Sequence, residues 1–295
     1  MIESTAFFGS NSKQHCSFGF GAIFAMAFLV LLATWPSAFA ATFTVTNGYA
    51  SGAGSLRQAV IGANNNPGKD TITIDPSVTR IVPNVLPSPD VAFGNRLAIL
   101  ESVDIIGHGS ATLTIDDELL WLSASNKVNP PGQTPCDTPS PNGGSDTPFL
   151  KPSDRIFQIG DFRVADNSSI EVTLQGFTLT RSGGLVIGLG RPSLRLVDVV
   201  VTGNAAADYQ AHLGAVSGCD SDVINIQGNL EIIDSAIRDN AAKSTNYVIN
   251  HTDGTLRIEN SDIGPNWGLG VMQLLRVPQV EIVGSTLVLL NENHN

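Results

Sequence analysis

Asp198, Asp234 and Asn260 occupy the same position in neighbouring sequence repeats, and Asp239 and Asp262 lie close behind. Residues of these types along one face suit two kinds of chemistry. Inverting glycoside hydrolysis needs two carboxyl groups about 6.5–9.5 Å apart, one protonated and one ionised. Eliminative cleavage of an acidic polysaccharide needs carboxylates that gather Ca2+, beside an arginine or lysine that removes a proton. On either scheme Asp198 and Asp234 are the candidate catalytic groups, and Asn260, Asp239 and Asp262 the candidate binding groups. No cofactor is expected, Ca2+ being the one this pattern could take. A plainer reading competes with both. Asp and Asn tolerate the left-handed backbone of a tight corner, so a repeated corner selects them for conformation alone. We take the corner reading first.

Other short motifs add little chemistry. Gly107-His108-Gly109, Asp116-Asp117 and Arg257-Ile258-Glu259 resemble parts of the N-x-D, D-D, G-H-G and R-I-K set of polygalacturonases. The first two stand in reverse order, Glu259 replaces the lysine, and no N-x-D precedes them. Gly107 to Gly109 then reads as a tight corner with His108 facing solvent. Arg195 and Arg257 alternate with Glu231 and Glu281 at one repeat position, which predicts charge pairing between repeats. Asn142-Gly143-Gly144-Ser145-Asp146 is a single copy of what a calcium-binding turn repeats. Asn167-Ser168-Ser169 and Asn250-His251-Thr252 fit the glycosylation pattern. There is no nucleophile elbow, phosphate loop or metal motif.

The repeats that carry these residues are the strongest structural signal. Five segments share one template: Val172 to Leu179, Leu194 to Val201, Leu230 to Ile237, Leu256 to Ile263 and Val280 to Leu287. Positions one and three are apolar, position five is Gly176, Asp198, Asp234, Asn260 or Gly284, and position eight is apolar again. Asn204, Asn240 and Asn266 follow at the eleventh position of three repeats. This is a short strand, a sharp corner and a second short strand. One such unit cannot bury its apolar face alone, whereas a stack of them can. The starts lie 22, 36, 26 and 24 residues apart, which suits three short strands plus turns. The long interval holds an extra stretch, Ala205 to Asp220, read as an extruded loop. Val223 to Ile226 and Tyr247 to Ile249 supply third strands. Asn at a recurring corner predicts a ladder of side-chain amides through Asn204, Asn240 and Asn266. The expected fold is therefore all-β: a right-handed parallel β-helix, or solenoid, clearest over 170–290.

Ahead of the repeats, Thr42 to Thr46 alternates as a strand, and Ser55 to Gln58 matches a capping box opening a short helix. Leu56, Ala59, Val60 and Ala63 form its apolar stripe, and Asn64 to Gly68 ends it. The helix is expected to plug one end of the β-structure, within a cap region over 41–75. Residues from about 124 to 152 are rich in Pro, Gly and Ser and are expected to be a long inserted loop.

Before residue 41 lies an export signal. Lys13 precedes an apolar run from Phe18 to Ala33, then Trp35-Pro36 and Ala38-Phe39-Ala40, with cleavage expected between Ala40 and Ala41. No membrane anchor is expected in the mature chain, a single domain over 41–295. Losing Glu3 and Lys13 removes one charge of each sign, so the formal net charge stays at −11. That acidity, with no basic cluster, argues against nucleic-acid partners and anionic membrane surfaces. Cys136 and Cys219 survive cleavage and are a possible disulfide in an exported chain.

Phe43-Thr44-Val45-Thr46-Asn47, Gly54-Ser55-Leu56-Arg57-Gln58-Ala59 and Ala63 to Ile72 resemble the start of exported bacterial right-handed β-helix proteins with a C-S-L-R-E-A motif. These are pectin-lyase-like solenoids. Gly54 stands where that motif has cysteine, and Gln58 where it has glutamate. Val103 to Gly109 and Leu113 to Asp116 resemble the first turn of such solenoids. The resemblance implies a β-helix with a helical cap, secreted or on the outer cell surface, often part of an adhesin, and implies no defined activity. The expected function is a non-catalytic scaffold for adhesion or glycan and surface binding. The alternative is a polysaccharide lyase or glycoside hydrolase working on an acidic groove. Val280 to Leu290 is a full repeat with five residues after it. That predicts self-association through an open C-terminal end, or a shortened product of a longer gene.

Overall fold

The structure is a computed structural model that describes residues 39–83, 96–117, 156–182, 184–204, 222–240, 247–266 and 270–288. The leader, the Pro/Gly-rich stretch over 124–152, the stretch 205–220, Cys136 and Cys219 lie outside the described residues.

Parallel strands in two sheets dominate. The larger sheet orders β1 (Thr42–Val45), β2 (Asp70–Ile74), β5 (Val103–Ile106), β8 (Glu171–Thr180), β10 (Ser193–Thr202), β12 (Leu230–Ile233), β15 (Thr255–Glu259) and β18 (Gln279–Val283). A side arm of the same sheet runs from β3 (Arg80–Ile81) and β6 (Thr114–Asp116) through the second halves of β8 and β10. It continues to β13 (Ala236–Ile237), β16 (Asp262–Ile263) and β19 (Thr286–Leu287). The second sheet orders β4 (Leu97–Ile99), β7 (Phe157–Ile159), β9 (Val186–Gly188), β11 (Ile224–Gln227), β14 (Tyr247–Thr252) and β17 (Gly270–Leu275).

The template segments pair with one another position by position. Leu194 faces Val172 and Leu230, and Leu256 faces Leu230 and Val280. Leu196, Ile232 and Ile258 form the next inward column. Val201 faces Leu179 and Ile237, and Ile263 faces Ile237 and Leu287. Alternation at period two sends these columns into one core while their neighbours face out. Inward members of the second sheet, such as Val186, Ile224 and Ile249, are buried in the same core. Each fully buried Val, Leu or Ile contributes about 1.5–3 kcal/mol.

The helix α1 (Leu56–Asn64) packs on β1 and β2 of one sheet and on β4 of the other. Ser55 caps it, its hydroxyl oxygen accepting from Gln58 N at 3.2 Å. The reciprocal half of the capping box does not form. Ser55 N donates instead to Gly52 O at 3.2 Å, and Gln58 is exposed. The turn before the cap already satisfies that amide. Arg57 is buried and its guanidinium donates to Ala50 O, Arg96 O and Pro83 O. Asn64 donates to Ala98 O at 2.7 Å and accepts from Leu100 N at 2.8 Å, tying the helix to β4.

Candidate functional site

Asp198, Asp234 and Asn260 form one column at the corner between the two arms of the larger sheet. Their φ angles are 50°, 50° and 48°, and Gly176 and Gly284 continue the column at 73° and 59°. Every repeat therefore turns left-handed at its fifth position, where residues other than Gly, Asn and Asp are strained. Backbone conformation alone accounts for the choice of side chains. Adjacent strands lie about 4.8 Å apart, so neighbours in the column start closer than the about 6.5–9.5 Å of inverting hydrolysis. Asp198 is further committed, accepting from Ser110 Oγ at 2.6 Å and Ser110 N at 3.3 Å. Asp234 and Asn260 are exposed, and among the described residues no side-chain hydrogen bond holds them. Asp239 sits elsewhere, at the next corner with φ 56°. Asp262 lies on the side arm in register with Ala236 and Thr286. The five candidates thus split into one column of three and two outliers.

The arginines beside this column are engaged. Arg195 Nε lies 3.2 Å from Glu231 Oε2, and Arg257 pairs with Glu259 at 2.6 Å and Glu281 at 4.0 Å. A guanidinium held by carboxylates is a poor base for proton abstraction.

Gly107 and Gly109 serve close packing. A Cβ on Gly107 would meet Gly176 O at 2.3 Å, and Gly109 N donates to Gly176 O at 3.0 Å. His108 is half-buried rather than facing solvent. Its Nε2 lies 3.0 Å from Val78 O and its Nδ1 2.8 Å from Thr112 Oγ1. Because a carbonyl can only accept, Nε2 carries the hydrogen. Asp116 is buried and gripped by two arginines: Arg80 Nε donates at 2.9 Å and Arg181 Nε at 2.8 Å. Both carboxylate oxygens are occupied by guanidinium donors, so Asp116 is not a free acid or base.

Two side-chain ladders run along the stack. Asn204 Nδ2 donates to Asn240 Oδ1 at 2.9 Å, and Asn240 Nδ2 to Asn266 Oδ1 at 3.0 Å. The same oxygens accept the backbone N–H of Asn204 and Asn240. The second ladder was not read from the sequence. Val199 N, Ser235 N and Ser261 N donate, each at 3.1 Å, to Ser235, Ser261 and Ser285 Oγ respectively. On the second sheet, buried Asp222 accepts from Tyr247 N, Asn225 Nδ2 and Asn250 Nδ2. Both glycosylation-type asparagines are spoken for. Asn250 donates to Asp222, and buried Asn167 donates to Asp161 O, Val164 O and Leu189 O.

His251, one residue on, is a buried titratable group. Its Nε2 donates to Gly228 O at 2.6 Å, and its Nδ1 has no partner among the described residues. Burial lowers its pKa from the usual imidazole value, and the Gly228 carbonyl and Asp253 oppose that. Asp253 is itself held low by its hydrogen bond from Arg276.

Among the described residues, no three His, Cys, Asp or Glu side chains are gathered to hold a metal, and no helix is long and apolar enough to cross a membrane. No family model, curated protein or solved structure matches the chain.

Proposed function

We propose that the chain is exported, cleaved between Ala40 and Ala41, and works as a secreted or cell-surface right-handed parallel β-helix that binds glycans or a neighbouring surface without catalysis. The observation that carries this reading is the positive φ at Asp198, Asp234 and Asn260. It gives the acidic column a conformational reason and leaves the catalytic scheme without its own evidence. The chain visits the larger sheet, its side arm and the second sheet in turn, as β12–β14 and β15–β17 do. Crossovers between parallel strands are right-handed in nearly all known cases, because twisted strands pack back that way. The long outward faces, rich in Thr, Asn, Gln and paired charges, suit polar ligands such as glycans.

Among the described residues no strand pairs with the outer side of β18, which supports self-association. Val280 and Ile282 are 44% and 46% exposed, although they align with Leu256 and Ile258, which are fully buried. A second copy laid on this edge would bury them and pair the outward backbone groups of β18.

The test is a panel of acidic and neutral polysaccharides incubated with the purified protein, with and without Ca2+, read for bound glycan and for released ends. Retention of glycan without cleavage is the expected result. Release of unsaturated or reducing ends, lost in Asp198→Asn or Asp234→Asn, would establish the lyase or hydrolase reading instead.

A further inference from the structure

Phe39 and Ala40 are exposed, but the next residue enters a buried polar site. Ala41 N donates to Asp70 Oδ1 at 2.7 Å, and Ala41 O accepts from Thr71 N at 2.9 Å. Asp70 opens β2 and is 0% exposed. Asn66 Nδ2 donates to the same Oδ1 at 2.7 Å and to Phe39 O at 2.8 Å. The other carboxylate oxygen, Oδ2, is buried and has no hydrogen-bond partner among the described residues. Lys69, the adjacent cation, is turned to Asp104 at 3.1 Å. Among the described residues no ion pair reaches Asp70. An ionised carboxylate buried with one oxygen unsatisfied and no cation is costly.

We propose that cleavage of the Ala40–Ala41 bond completes this site: the freed α-ammonium of Ala41 forms a buried ion pair with Asp70. This rests on the export reading, in which a signal peptidase cuts at that bond. Water adds across the peptide bond, its hydroxyl going to the Ala40 carbonyl carbon and its hydrogen to the Ala41 nitrogen. At neutral pH the new amine takes a further proton. One amide N–H thereby becomes three N–H donors and a positive charge, held in place by Thr71. The ammonium satisfies Oδ1 and Oδ2 together and supplies the missing counter-charge. Export thus converts an incompletely satisfied carboxylate into a lock on the first strand pair, β1 on β2.

The sign of the pH dependence follows. An α-amine has an ordinary pKa of about 7.7–8.0, and the carboxylate raises it in the folded chain. The added stability is present below that range and is lost as pH rises through the folded pKa.

The experiment produces the full chain with its leader in an exporting host and reads the mass of the product. Three proteins are then unfolded in urea from pH 7 to pH 9.5: processed wild type, processed Asp70→Asn, and an uncleaved Ala40→Leu chain. In processed wild type alone the unfolding constant is expected to rise at least about tenfold over this range, one pKa unit being tenfold. Equal profiles in all three overturn the pair. Because Asp70→Asn can fail to fold, the Ala41 amine of wild type is also titrated by NMR. A value of about 7.7–8.0 overturns the pair, and a value at least about one unit higher supports it. A product that is whole, or that starts elsewhere than Ala41, overturns the export reading and the natural occurrence of the pair with it. A product starting at Ala41 with an ordinary amine overturns the pair alone.

Discussion

Asn240 stands between Asn204 and Asn266 as both acceptor and donor: its Oδ1 takes the Nδ2 of Asn204 at 2.9 Å, and its Nδ2 reaches Asn266 at 3.0 Å. The amide also donates to Val201 O and Arg238 O. Asn240→Ala therefore strands several buried groups at once. A loss of about 3 kcal/mol is expected, since each buried unsatisfied group costs about 1–3 kcal/mol. Urea midpoints at constant slope would measure it, and a change under about 0.5 kcal/mol, the range of ordinary surface substitutions, would refute the ladder's role.

Substitution at Asp234 separates backbone from chemistry. With φ at 50°, Asp234→Gly and Asp234→Asn should leave stability within about 0.5 kcal/mol, while Asp234→Val should cost about 1–2 kcal/mol. Glycan retention should survive the Gly and Asn variants. Abolished retention with unchanged stability would make Asp234 a ligand group.

The buried imidazole predicts acid sensitivity. Well above about pH 6.5, the ordinary imidazole value, His251 is neutral in both folded and unfolded chains and adds no pH dependence. Below that, the unfolded chain binds a proton that the folded chain resists, because burial lowers the folded pKa. Stability then falls with falling pH, by up to about 1.4 kcal/mol per unit, until the folded pKa is passed. Urea midpoints from pH 7.5 to pH 5 should show this slope, and His251→Gln should flatten it. An unchanged slope in the variant would assign it to other groups.

Ile282→Glu tests association through β18. The side chain is 46% exposed, so folding should be nearly unaffected while association is lost. Sedimentation at high concentration should show oligomers for wild type and monomer for the variant. A monodisperse wild-type monomer would count against self-association.

Much of this arrangement was legible in the sequence because it repeats. The inward pairs, such as Leu194 with Leu196 and Leu230 with Ile232, alternate at period two, and the left-handed fifth position restricts residue choice so sharply that Asp198, Asp234 and Asn260 align by eye. The serine ladder was not legible. Its column begins with Phe177 and Val199, so Ser235, Ser261 and Ser285 look like ordinary corner residues. The grip of Arg80 and Arg181 on Asp116 joins residues 36 and 65 apart, outside any repeat, and only pairing in space reveals it. Gln58 misled for a local reason, since Gly52 had already satisfied the amide it was expected to reach.

The outward column Arg195, Glu231, Arg257, Glu281 changes sign at every step along the stack. Its true period is therefore two repeats. Deleting the Glu231 repeat would set Arg195 directly against Arg257, and duplicating it would set glutamate against glutamate, both unfavourable across a strand pair. Adding or removing two repeats would leave the alternation intact. The stack thus carries a parity rule, and gene duplications that lengthen or shorten this part of the chain should be tolerated best in even steps.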